Sequence, residues 1–145
     1  MTRLARWLSG CGILAPAMRQ FGLEEANRLV PFLTRTFEAA RPVVNRLALI
    51  LESLERRGSR TDLLEEREAL SRQLEQLFGP VQELGIELKA ADGLVDFPAM
   101  REGRVVYLCW RYPEKEVSHW HEVEAGFDGR QRIESPEEFA ATFLC

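Results

Sequence analysis

A long antiparallel two-helix hairpin followed by a three-stranded antiparallel β-meander and a short C-terminal helix, an α+β fold, is what this sequence predicts. Three observations predict it. From Ala26 the apolar residues step by four and three through Val30, Leu33, Phe37, Ala40, Val44, Leu47, Leu51 and Leu54, the seam of a long helix. A second seam of the same period runs through Leu63, Arg67, Leu70, Leu74, Leu77, Val81 and Leu84. After Gly85 the period falls to two, the repeat of a strand with one buried face.

The first helix opens at Leu23-Glu24-Glu25, whose carboxylates suit the positive end of the helix dipole, with Gly22 as its N-cap. Pro31 and Pro42 lie inside the pattern. Each removes a backbone hydrogen bond, and because the seam stays in register across both, a bend is expected at each. Gly58 suits a left-handed cap and ends the helix. Asp62, with Glu65 three residues on, is expected to cap the second helix, which Pro80 kinks and Gly85 closes. The hairpin thus spans 22–85. Its first arm covers about 50 Å and its second about 35 Å, so the start of the first arm needs cover from the strands.

Within 86–124 the expected strands are Leu94–Met100, Val105–Arg111 and Val117–Val123, joined by tight turns at Arg101–Arg104 and Tyr112–Lys115. A loop and the C-terminal helix occupy 125–145. Ser135-Pro136-Glu137-Glu138 starts that helix, and Phe139 and Phe143 anchor it. Residues 18–145 read as one domain behind a disordered extension, 1–17. Leu8-Ser9-Gly10-Cys11 has the letters of a lipoprotein box, but Arg3 and Arg6 interrupt the apolar stretch such a signal requires.

The 145 residues carry a net charge of −4, with both signs interspersed, which argues against a nucleic-acid partner. No apolar run has the length of a membrane span. Three cysteines, Cys11, Cys109 and Cys145, show no metal-ligand spacing and read as reduced thiols of a cytoplasmic protein.

The densest polar stretch is His119-Trp120-His121-Glu122. His119 and His121 share a strand face, as two imidazole ligands should, and Asp96 or Cys109 on a neighbouring strand is the candidate third ligand. Asp96 stands in an apolar strand and needs a partner, for which Arg104, Arg111 and His121 are the candidates. It is either a general base or half of a structural ion pair. The candidate catalytic residues are therefore Asp96, His121 and Glu122. Candidate ligand-binding residues are Arg104, Arg111, Trp110, Arg130 and Gln131, the last two following a glycine loop suited to an anion. Trp110, Trp120, Tyr107 and Phe97 are core, or the floor of a pocket. Alternation places His121 opposite Trp120 and Glu122, facing Asp96 or Glu87.

Three stretches carry a resemblance: Gly93 to Ala99, Arg101 to Arg111, and Trp120-His121-Glu122 with Gly126 to Gln131. Leu23 to Asn27 followed by Pro31 adds to it. Over Phe21 to Ile133 the chain resembles the bacterial domain-of-unknown-function family 2203. The resemblance implies a small bacterial cytoplasmic protein and no activity. It also implies an aromatic residue where His119 stands, which shifts weight from a two-histidine metal site to His121 alone.

Two functions remain. One is a self-associating binding or scaffold module, a homodimer whose paired hairpins make a four-helix, coiled-coil-like bundle. The alternative is a small-molecule or metal-dependent enzyme with a polar site around Asp96, Arg111, His121 and Arg130.

Overall fold

Pro31 decides how the first arm is divided. Proline has no N–H to donate, and a helix tolerates it freely only in its first turn. In the computed structural model, which describes residues 19–58 and 60–139, the chain forms α1 (Leu23–Arg28), turns at Leu29 and begins α2 (Val30–Arg57) with Pro31 in the first turn. The expected bend at Pro31 is therefore a break. Leu29 keeps helical dihedrals, φ −90° and ψ −9°, so the seam survives it. Ala26, Val30, Leu33, Phe37 and Ala40 all enter one core.

Gly58 caps α2 at φ +78°, and α3 (Thr61–Glu83) returns alongside. Its N-cap is Arg60, not Asp62. Asp62 lies in the first turn and pairs with Arg60 at 3.1 Å, a place where its charge serves the helix end without capping it. Arg46 and Glu66 clasp the two arms through hydrogen bonds of 2.7 and 2.8 Å.

The meander has five strands rather than three, ordered β1 (Glu87–Ala90), β2 (Leu94–Arg101), β3 (Arg104–Arg111), β4 (His119–Glu122) and β5 (Gln131–Arg132), every neighbour antiparallel. The two extra strands are the edges. They are four and two residues long, too short to display a period. Glu102 and Gly103, at φ +53° and +79°, make the tight turn between β2 and β3. Gly93, at φ +128°, ends the turn before β2, and a Cβ there would meet the Cβ of Tyr112 at 2.4 Å. The C-terminal helix is reduced to one 3-10 turn, Pro136–Phe139, among the described residues; Phe143 and the extension 1–17 lie outside them.

Alternation gives the sheet two unlike faces. Val95, Phe97, Val106, Leu108, Trp110 and Trp120 point to the helices and join the core with α1, the first half of α2 and the end of α3. Phe37 sits at the junction, 5.4 Å from Phe78 and 5.9 Å from Trp110 between ring centres. The sheet thus supplies the cover that the start of the longer arm needs. Past Val44 the arm has only α3 beneath it. Ile50 is buried there, sharing a face with Leu47 and Leu54, while Leu51, placed in the seam by its spacing, is 46% exposed and Leu49 57%.

Candidate functional site

The other face of the sheet is polar. Counting outward from the Glu102-Gly103 turn puts Cys109 opposite Asp96, and the next register puts His121 opposite Tyr107. Glu87 stands beside Asp96 on the far side. Four strands therefore present Glu87, Asp96, Tyr107, Cys109 and His121 on one surface. The segment after β4 borders this surface with Val123, Gly126 and Phe127, which with Lys89, Leu94, Asp96, Tyr107 and His121 line a cavity of about 190 Å3.

At its base lies a buried pair. His121 Nε2 is 3.1 Å from Asp96 Oδ2, and His121 Nδ1 is 2.7 Å from the backbone oxygen of Glu122. A carbonyl only accepts, so Nδ1 carries a proton and donates it there. The contact at Nε2 is an ordinary hydrogen bond to Asp96. The second carboxylate oxygen, Oδ1, finds no hydrogen-bond partner among the described residues. Burial pushes the Asp96 carboxyl up, against the pull of the His121 charge and hydrogen bond. Burial, and after it the Asp96 charge, also push the Cys109 thiol up to about 12, although Arg130 opposes them.

Arg130 reaches Cys109 Sγ at 3.9 Å from one nitrogen and Glu114 Oε2 at 2.6 Å from the other, its guanidinium 4.5 Å over the Phe127 ring. Glu114 also accepts the Arg111 backbone N–H at 2.8 Å. Tyr107 donates its hydroxyl to Glu87 at 2.9 Å; burial, and then that carboxylate, push the phenol up to about 12. Lys89 pairs with the other Glu87 oxygen at 3.0 Å.

A family model described as an uncharacterized conserved protein, DUF2203, matches residues 19–133. The chain belongs to the DUF2203 family. No curated protein and no solved structure matches it. Among the described residues, α1 to α3, β1 to β5 and the polar face all fall within the DUF2203 region, which agrees with the resemblance over Phe21 to Ile133. Of the residues singled out in the sequence, this DUF2203 fold brings together Asp96, His121, Cys109 and Arg130. It does not bring the rest. Arg111 is held by Asp92 at the sheet margin through two 3.1 Å bonds. Glu122 faces away and pairs with Arg104 at 3.0 and 2.5 Å. Trp110 is fully buried on the inner face, its indole N–H donating to the Glu114 carbonyl at 3.0 Å. Gln131 lies exposed on β5.

His119 shares the outer face but stands off from the group that Asp96, Cys109 and His121 form; its Nδ1 is 3.0 Å from Ser118 Oγ, and burial holds its imidazole below the usual range. Cys109, the alternative third ligand read from the sequence, takes its place in that group. Lys89, Glu114 and Phe127 are the site residues that sequence reasoning missed; Tyr107, assigned there to the core or to the floor of a pocket, lines the cavity. Register from the β2–β3 turn was the available signal for Tyr107. Glu114 and Phe127 come from loops whose return over the sheet no local pattern announces.

Proposed function

We propose that this protein is a bacterial cytoplasmic module that binds a small polar ligand on the outer sheet face, at the cavity floored by Asp96 and His121. One observation carries the reading. The Asp96 side chain is 5% exposed, lines the cavity, holds one oxygen on His121 and leaves the other without a hydrogen-bond partner of good geometry, the Cys109 thiol being its nearest donor. A buried unpaired oxygen costs about 1–3 kcal/mol, which a ligand donor would recover. Burial pushes the Asp96 carboxyl up, and a perturbed carboxyl beside an imidazole at a cavity marks a candidate ligand site. The cavity is small, so the ligand has only a few non-hydrogen atoms.

The test is a side-chain NMR titration with a panel of small carboxylates, phosphates, amides and amines, on metal-free and metal-loaded protein. At least one class should shift the His121, Tyr107 and Phe127 ring signals together, and Asp96→Asn should abolish the response. A panel that moves none of these signals in either form overturns the reading.

A second reading has its own observation. The outer half of α2 exposes Leu49 and Leu51 where no sheet lies beneath it. A second copy pairing its hairpin there would make a four-helix bundle and a homodimer, with no nucleic acid involved. Sedimentation equilibrium at micromolar concentration should give a dimer that the pair Leu49→Glu and Leu51→Glu converts to monomer. A wild-type mass of 16.6 kDa would rule it out.

A further inference from the structure

We infer that Asp96, Cys109 and His121 bind one zinc ion, an inference that rests on the outer face being the ligand site. One side chain comes from each of three adjacent strands, and all three are buried. Their ligating atoms lie within 4.8 Å of one another, with Asp96 and His121 already at 3.1 Å. Tetrahedral zinc, with bonds of about 2.0–2.3 Å, sets its ligands about 3.3–3.8 Å apart, so the widest pair must close by at most about 1.5 Å and the Asp96–His121 pair open by a few tenths. A rotation of the Cys109 side chain is a small movement of that size.

Three further features fit zinc. First, the His121 tautomer is set. Its Nδ1–H donates to the Glu122 carbonyl, which leaves Nε2 as the atom for a metal, the arrangement in which a backbone carbonyl orients a ligating imidazole. Second, charge balances. One carboxylate, one thiolate and one neutral imidazole cancel a divalent ion, and Glu114 already neutralises Arg130 beside the sulfur. Third, one nitrogen, one sulfur and one oxygen donor suit zinc better than magnesium or calcium, which take oxygen. The unpaired Asp96 oxygen gains a partner in the process. Three protein ligands leave a fourth position, and the neighbouring cavity is where a water or small ligand would fill it.

Binding has a proton balance. The thiol must lose its proton to ligate, so zinc binding releases protons and tightens as pH rises. The test uses the full chain purified without an affinity tag, stripped with chelator and titrated with zinc in buffers of different ionisation enthalpy. The expected result is one zinc per chain with release of protons. Cobalt(II) should give the visible bands of a tetrahedral site and a near-ultraviolet sulfur charge-transfer band. Cys109→Ser should remove that band and weaken zinc binding at least about tenfold, whereas His119→Gln should leave both unchanged. The wild-type cobalt spectrum reads the sulfur directly and does not depend on any variant folding. Absence of saturable zinc binding, or a cobalt complex without the sulfur band, overturns the inference. If the small-molecule panel still shifts His121 in that case, only the zinc assignment fails. If zinc binds as expected and the panel shifts nothing, the zinc is structural and the small-ligand reading is what fails.

Discussion

Glu114 touches nothing in the cavity, yet it sets the position of Arg130. Burial alone would push its carboxyl up, but the hydrogen bond from Arg130, the Arg111 backbone N–H and the Arg130 charge together hold it below its ordinary value of 4.5. A carboxyl lowered by folding adds stability that is complete above the unfolded value and disappears as pH falls through the folded one. Glu114→Gln should therefore destabilise the protein by about 1–3 kcal/mol near neutral pH. The gap should close below about pH 4. Urea midpoints for both proteins near neutrality and at about pH 3 read this directly. An equal gap at both values would mean that the charge of Glu114 contributes nothing. At this scale the sequence shows a polar residue wherever it breaks an apolar strand pattern, which is how Asp96 and His121 declare themselves. Cys109 and Tyr107 break no pattern, since a thiol and a phenol fit an apolar strand as well as a polar one, and only register reveals their neighbours.

Between elements, single backbone contacts tie the hairpin to the sheet. Asn27 on α1 accepts the Val117 N–H through its side-chain oxygen at 2.6 Å, and Val117 is buried. Asn27→Ala leaves that N–H without its partner and should cost about 1–3 kcal/mol, seen as a lower urea midpoint at unchanged slope. Gly93 closes the opposite corner. Gly93→Ala forces a side chain onto Tyr112 Cβ at a φ that L residues avoid, and should cost about 2–4 kcal/mol. A midpoint within error of wild type would mean that β2 can shift away from Tyr112. Long elements were legible because a period repeated over many residues leaves little ambiguity. The edge strands β1 and β5 owe their existence to pairing with β2 and β4, a long-range cause that a window on the chain does not contain. Pro31 broke its helix although the apolar period ran on, because the period reports which face is buried and not whether each backbone bond is made.

Across the whole molecule the helices serve two tasks in sequence. Near the sheet they close the core; farther out they pack only on each other. Amide exchange should follow that division. The slowest protons are expected in β2, β3 and the first half of α2, and much faster ones in the outer ends of α2 and α3. Uniform protection along α2 at micromolar concentration would instead indicate that a second copy covers the outer half. The sheet has a further consequence, an optical one. Cys109 and His121 are followed and preceded in the chain by Trp110 and Trp120, whose indoles point through to the opposite, dry side. Each spectroscopically silent event on the polar side therefore has a fluorophore about one sheet thickness away, within about 10 Å. In a Trp7→Phe background those two indoles supply all the tryptophan emission. Cobalt(II) bound through the Cys109 sulfur should quench it by energy transfer into the charge-transfer band, while zinc should leave its wavelength in place, so a cuvette can follow occupancy of one face by the light emitted from the other.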